Sequence, residues 1–258
     1  MVLVKDVMTS NPICIKSDDL ITKARSLIRK YGYRALPVLE NNKLVGIISR
    51  NEILKVTSTR TNVNIKGLMS PMLITTTPDE NIVEVTKKII KHSIRQLPVV
   101  NSISNDRLVG IVSSMDILKA FVENDCIPVK EKIQDIMDKR FISCGPDDEL
   151  SKVWHRMIES GISGFPVVEN KKVVGVITRM DILRHGSFRL SEESGKGKKI
   201  FVKKVMISPA IATTPDERVD SASKKMLKNK IIKLPVVDSN KKIIGIVNIE
   251  GILKAYLK

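Results

Sequence analysis

Val173-Val174-Gly175-Val176-Ile177-Thr178-Arg179-Met180-Asp181-Ile182-Leu183 is a stretch that the chain repeats, with variations, four times. The other copies are Leu44-Val45-Gly46-Ile47-Ile48-Ser49-Arg50-Asn51-Glu52-Ile53-Leu54, Leu108-Val109-Gly110-Ile111-Val112-Ser113-Ser114-Met115-Asp116-Ile117-Leu118 and Ile243-Ile244-Gly245-Ile246-Val247-Asn248-Ile249-Glu250-Gly251-Ile252-Leu253. Each opens with β-branched and aliphatic residues around a glycine, the composition of a strand buried on both faces. Each then reaches a hydroxyl or amide residue, Ser49, Ser113, Thr178 or Asn248, of the kind that caps a helix. Four strand-to-helix turns therefore organise the sequence.

Working outward, a Met and a Pro precede each glycine. Met8 and Pro37, Met69 and Pro98, Met137 and Pro166, and Met206 and Pro235 are all separated by 29 residues. The constancy marks one rigid unit repeated four times. From Pro to Gly the spacing is 9, 12, 9 and 10, so length varies only in a turn, where variation is tolerated.

Within each unit, a short extended piece follows the Met, as in Pro12-Ile13-Cys14-Ile15 or Ala210-Ile211-Ala212. A helix is expected next. In repeats 2 and 4 its start reads Thr77-Pro78-Asp79-Glu80 and Thr214-Pro215-Asp216-Glu217, a capping box with Pro at the first helical position. Leu20, Ala24, Leu27 and Ile28, or Leu150, Val153, Trp154, Met157 and Ile158, give the apolar stripe, and Gly32 and Gly161 suit the left-handed end. A Leu-Pro-Val or Phe-Pro-Val strand and a polar turn then lead back into the opening stretch as a hairpin. The unit is β-α-β-β-α, and its half-covered sheet favours pairing of two units. The expected organisation is α+β, with module 1 at 1–124 (repeats at about 1–60 and 61–124) and module 2 at 125–258 (repeats at about 125–190 and 200–258).

The remaining features chiefly exclude. No apolar run approaches the roughly 18 residues of a membrane span, and the start has no secretory pattern, so a cytoplasmic location without membrane association is expected. Three cysteines without a Cys-x-x-Cys pair and three scattered histidines argue against disulfides or a transition-metal site. The ten Met and the single Trp154 read as core filling. The net charge of +16 is spread over both halves, with 18 Lys+Arg against 11 Asp+Glu in 1–124 and 26 against 17 in 125–258. Aromatics make up 3%, few for base stacking, so nucleic-acid binding is an alternative that the composition does not favour. The basic stretch Ser194-Gly195-Lys196-Gly197-Lys198-Lys199 reads as a solvated linker.

The Pro-Val strand followed by Gly-h-h-[Ser/Thr]-x-x-[Asp/Glu]-Ile-Leu, with h apolar, resembles the signature of the CBS domain, the repeat named after cystathionine β-synthase. The signature is full in repeats 1 to 3, and the four copies cover essentially the whole chain. The layout is similar to the gamma subunit of AMP-activated protein kinase and to stand-alone archaeal and bacterial members of the family. The resemblance implies two pseudo-twofold modules with clefts between paired repeats that bind AMP, ADP or ATP, or S-adenosylmethionine and related adenosyl compounds. It implies a regulatory protein rather than an enzyme, without a cofactor, acting on a protein partner and compatible with a homodimer.

Carried over residue by residue, the resemblance implies four clefts. One combines Ser49 and Glu52 with Leu73, Ile74, Arg95 and Gln96. A second combines Ser113 and Asp116 with Ile13, Cys14, Arg34 and Ala35. A third uses Thr178 and Asp181 with Ile211, Ala212, Ile232 and Lys233. The fourth would use Asn248 with Ile142, Ser143, Ser163 and Gly164, but Gly251 stands where the acid belongs, and this cleft is expected to be empty or to bind differently. The chemistry suits an adenosine phosphate: a carboxylate accepts from the ribose diol, and a hydroxyl, free amides and Arg favour phosphate. Other readings stay open. Ser/Thr-x-x-Asp/Glu is also a plain capping box, Arg34 and Arg95 equally suit solvent or a neighbouring acid, and the glycines suit close helix packing or ligand approach.

Overall fold

A computed structural model describes residues 2–56, 62–71, 74–102, 105–185 and 199–257, without the side chains at 54, 55, 105 and 106. The expected site residue Leu73, and residues 186–198 of the expected linker, lie outside the described residues. The chain divides into two compact units, Met1–Asp125 and Cys126–Lys258.

Unit 1 contains α1 (Val4–Val7), β1 (Thr9–Ser10), β2 (Ile15–Lys16), α2 (Ile21–Tyr31), β3 (Ala35–Glu40), β4 (Lys43–Ser49) and α3 (Arg50–Lys55). It continues with α4 (Ile82–Lys91), β5 (Gln96–Ser102), β6 (Asn105–Ser113) and α5 (Ser114–Glu123). Unit 2 contains α6 (Leu150–Glu159), β7 (Gly164–Glu169), β8 (Lys172–Thr178), α7 (Arg179–Arg184), α8 (Val219–Asn229), β9 (Lys233–Val237), β10 (Ile243–Asn248) and α9 (Ile249–Ala255). One turn of 3-10 helix, at Ile65–Gly67, Ile133–Asp135 and Val202–Lys204, takes the place of α1 in the later repeats.

Each repeat builds its hairpin as expected. Asn41 and Asn42, and Asn170 and Lys171, have positive φ in pairs, the backbone of a tight hairpin turn. Gly32 and Gly161 end their helices at φ 74° and 69°. The signature strands alternate fully buried with half-buried positions rather than being buried on both faces. Trp154 is buried as expected.

Two expectations about helix starts need correction. Leu20 lies one residue before α2 and is 40% exposed, outside the apolar stripe. Thr77–Glu80 and Thr214–Glu217 form turns that precede α4 and α8, which begin at Ile82 and Val219. The reason lies in the neighbouring repeat. The first amide of each long helix donates to a backbone carbonyl there: Ile21 to Val63 and Ile82 to Val2 in unit 1, Leu150 to Ile200 and Val219 to Glu131 in unit 2. In return Val4 and Lys5 donate to Glu80 and Pro78, and Ile65 and Lys66 to Asp19 and Ser17. Each repeat thus lends its lead-in to the helix start of the other, satisfying donors that a lone helix leaves open.

The Met and Gly landmarks belong to the same exchange. A Cβ placed on Gly46 would lie 2.7 Å from Met69 Sδ, and one on Gly110 2.7 Å from Met8 Sδ. In unit 2 the corresponding distances are 2.9 Å from Gly175 to Met206 and 3.1 Å from Gly245 to Met137. The residue after each Met bridges the partner strand, with Thr9 opposite Ile111, Ser70 opposite Ile47, Asp138 opposite Ile246 and Ile207 opposite Val176. These four methionines are half-buried clasps between repeats rather than core filling, and the glycines admit a thioether rather than a ligand or a helix.

Gly46→Ala is expected to destabilise unit 1 by about 1–3 kcal/mol through overpacking against Met69 and the Ser70 carbonyl. Gly67→Ala, where a Cβ meets nothing within 4 Å, should change stability by less than about 0.5 kcal/mol. Chemical denaturation of the two variants compares them, and equal midpoints would remove the clasp from the account.

Candidate functional site

At the end of the signature strand in repeats 1 to 3 the cap residue and the acid three residues on form a closed pair. The Ser113 amide and hydroxyl donate to one Asp116 carboxylate oxygen at 2.8 and 2.6 Å, and the Asp116 amide donates back at 3.4 Å. Thr178 and Asp181 repeat the pattern at 2.9, 2.6 and 3.4 Å. In repeat 1 the longer Glu52 folds back to accept from the Ser49 amide at 3.0 Å and from its hydroxyl. In repeat 4 Asn248 caps the Gly251 amide at 2.8 Å with no acid in the box. Capping is therefore real, and it uses one oxygen of each carboxylate. Among the described residues no donor reaches the other oxygen of Asp116 or Asp181.

The turn is held from a second side. The first helical amide donates to the carbonyl of the residue just before the first strand of its hairpin: Arg50 to Arg34, Ser114 to Arg95, Arg179 to Ser163 and Ile249 to Ile232, at 2.8 to 3.0 Å. Those amides are committed, which corrects the expectation of a set of free ones at the helix start. Strand register places Ala35 opposite Ser49, Gln96 opposite Ser113, Gly164 opposite Thr178 and Lys233 opposite Asn248. Each cap is thus paired directly with the first residue of the Pro-Val strand of its own repeat.

The two sets in unit 1 nevertheless lie within electrostatic reach. Arg34 is pushed down to about 10, first by burial, then by the positive charges of Arg95, from the other repeat, and Arg50. Among the described residues no carboxylate weighs on it. Arg50 itself, which sequence reasoning passed over, donates to the Gly32 and Tyr33 carbonyls at 2.6 and 2.7 Å and closes the end of α2. Arg179 does the same for Met157 at the end of α6.

The extended pieces cross between repeats. Residues 9–11 run beside β6 of repeat 2, and Ile15 then pairs with Val38 of repeat 1, so Ile13 and Cys14 span the seam. Ile74 lies between the Ser70 and Thr76 bridges, Ile142 and Ser143 between those of Asp138 and Cys144, and Ile211 and Ala212 between those of Ile207 and Thr213. The fifth residue after each Met is Ile in all four repeats, and Ile13 and Ile211 are 36% and 37% exposed.

A further set of residues was not foreseen. Lys88 donates to the Thr75 carbonyl at 3.3 Å and pairs with Glu80 at 2.7 Å. Lys225 donates to Ala212 at 3.0 Å and pairs with Glu217 at 2.7 Å, and Arg156 donates to Ser143 at 2.7 Å and pairs with Asp148 at 3.5 Å. Each cation is 19 residues after its Met, a recurrence visible in the sequence. Glu80 and Glu217, expected as capping-box acids, are the acids of these clamps. The cysteines carry no shared chemistry: Cys144 is buried and pushed up to about 12, chiefly by burial, and Cys126 is exposed. Among the described residues no group of His, Cys, Asp or Glu is placed to hold a metal ion, and no helix is long and apolar enough to cross a membrane.

Comparison with known proteins follows the same division. The uncharacterized protein MJ1225 of Methanocaldococcus jannaschii is 25% identical over 261 residues, covering 92% of each chain. Its crystal structure, that of a proposed archaeal homolog of γ-AMPK, matches with a TM-score of 0.85 at 24% identity over 98% of this chain and 99% of that one. An uncharacterized conserved protein from Pyrococcus horikoshii shares the fold with a TM-score of 0.72 at 23% identity, over 99% of this chain and 100% of that one. L-aspartate semialdehyde sulfurtransferase of M. jannaschii is 37% identical over 121 residues, 46% of this chain but 22% of that enzyme. The CBS domain family model matches residues 4–58, 65–123, 133–187 and 202–258. The chain therefore belongs to the CBS domain family, as four tandem α+β repeats.

Proposed function

We propose that the chain is a non-enzymatic regulatory protein that binds an adenine nucleotide, AMP, ADP or ATP, at the seam between paired repeats. The observation that carries the reading is the half-buried Arg34 under the positive charges of Arg95 and Arg50, with no carboxylate among the described residues acting on it. Like charges brought together at partial burial repel one another, and an anionic group between them relieves that cost. The half-committed carboxylates of Asp116 and Asp181 supply acceptors for a ribose diol in charge-assisted bonds. The exposed isoleucines of the crossing segments offer an apolar surface to a ring.

Unit 1 is the favoured site, with Asp116, Ser113, Arg34, Ala35, Ile13 and Cys14 as the preferred cleft and Glu52, Ser49, Arg95, Gln96 and Ile74 as the second. In unit 2 Thr178, Asp181, Ile211, Ala212 and Lys233 form a weaker cleft with Lys in place of Arg. Ligand occupancy biases the repeat seam, and a protein partner in the cytoplasm reads the change.

Calorimetric titration with AMP, ADP, ATP and S-adenosylmethionine tests the reading. Binding below millimolar concentration by at least one adenine nucleotide is expected; S-adenosylmethionine alone would shift the ligand class, and no binding would end the proposal. Asp116→Asn keeps an acceptor for the cap but removes the charge, so thermal stability should hold while affinity falls about tenfold, roughly 1.4 kcal/mol. Equal affinity in the variant would confine Asp116 to capping. Arg34→Gln should weaken nucleotides by about tenfold or more and leave adenosine, which lacks the phosphate, nearly unchanged.

A further inference from the structure

The two hairpin tips of unit 2 meet edge to edge. Lys172, which opens β8, forms an antiparallel bridge with Lys242, one residue before β10. The Val173 amide donates to the Lys241 carbonyl at 3.3 Å, and the Ile243 amide to the Lys171 carbonyl at 3.2 Å. Two pairs of lysines, 70 residues apart in the sequence, are thereby gathered at one bridge.

All four lysines are exposed, and among the described residues none of their ammonium groups is in an ion pair. The acids of the two turns do not close on them. Glu169 stands opposite Lys172 in its own hairpin without an ion pair. The Asp238 carboxylate accepts from the amides of Asn240 and Lys242, each at 2.9 Å.

This placement opposes stability in two ways. Like charges directly opposite each other across a strand pair are destabilising. Lys171 and Lys241 also hold φ at 65° and 61°, a left-handed backbone that suits Gly or Asn better than Lys. Repeat 1 has Asn42 at the same turn position with φ 63°, so the turn itself has no need of a cation. In unit 1 the four corresponding positions read Asn42, Lys43, Asp106 and Arg107, with half the cations and an acid among them. Local choices that work against the fold mark function.

The chemistry of the tip selects the partner. Neither turn, 169–172 or 238–242, carries an aromatic or a large apolar side chain. A protein interface uses such residues at its core and is depleted in lysine there. A membrane surface takes up an apolar side chain, and a single nucleic-acid strand stacks on aromatic rings. A duplex backbone needs only exposed point charges to neutralise its phosphates, which lysine supplies. The tip also lies at the opposite end of β8 from Thr178, roughly 20 Å along the strand, away from the cap and its acid.

We propose that the joined hairpin tips of unit 2 are a sequence-independent contact for the phosphate backbone of a nucleic-acid duplex. The contact stands apart from the adenine-nucleotide reading and does not depend on it.

Fluorescence anisotropy of the full chain with a labelled mixed-sequence DNA duplex of about 20 base pairs tests the proposal. With up to four phosphates neutralised, affinity should fall about a hundredfold between about 50 and 200 mM salt, and a second, unrelated duplex should bind alike. Lys171→Asn combined with Lys241→Asn installs the residue that repeat 1 uses in this turn, so the fold should hold. This pair should weaken binding about tenfold and make the log–log salt slope shallower by about 2. Lys224→Gln combined with Lys228→Gln removes the same charge from exposed positions of α8 and should leave affinity within about twofold.

Equal loss in the two double variants would assign binding to the diffuse charge and overturn the proposal. Absence of duplex binding at about 50 mM salt would also overturn it, as would binding to polyglutamate or to phosphatidylserine vesicles as tight as to the duplex.

Discussion

The backbone exchange between paired repeats is the constraint on which the structure depends. A helix start leaves amide donors that need acceptors, and a short sheet leaves an edge. Here both needs are met by a neighbour: Val2 and Val63 accept from the long helices of unit 1, Glu131 and Ile200 from those of unit 2. Because the exchange is reciprocal, neither repeat completes its hydrogen bonding alone. The 29-residue interval from Met to Pro is the length needed to begin on one repeat, cross the seam, form a helix and return as a strand. The Met–Gly contact then sets how closely the two halves approach.

That same crossing places chemistry at the seam. The cap and first helical amide of each signature turn are tied to the strand start of their own repeat, while the lead-in of the other repeat runs alongside. Charge follows the geometry in unit 1, where Arg34 feels both its own Arg50 and the opposite Arg95. Unit 2 differs at these positions, with Ser163 and Ile232 in place of the two arginines and Gly251 in place of an acid. One architecture thus presents a strongly cationic seam and a weaker one.

Much of this was legible in the sequence, because the repeat and its two periodicities are local. The four hairpins, the order of elements and the left-handed Gly32 and Gly161 all follow from short stretches. What was missed depends on the partner repeat. Thr-Pro-Asp-Glu spells a cap wherever it stands, yet the first amides of α4 and α8, at Ile82 and Val219, are satisfied by backbone from the other repeat, and Glu80 and Glu217 serve the lysine clamps. The glycines looked like packing or ligand positions because nothing near them in sequence names Met8, Met69, Met137 or Met206 as the contact. Arg34 was seen as a binding residue, but its arginine neighbours belong to a later turn and another repeat. The clamp cations did recur at fixed spacing and went unread because each, alone, is an ordinary surface lysine or arginine.

The exchanged lead-ins also order events during synthesis. Val2 to Lys5 are translated well before their acceptors and donors at Pro78 to Ile82, and before the strand around Gly110. The first repeat must therefore wait, with its helix start and sheet edge open, until the second has been translated. Nascent chains of unit 1 remain exposed to mispairing over that interval, and unit 2 faces the same delay between Glu131 and Val219.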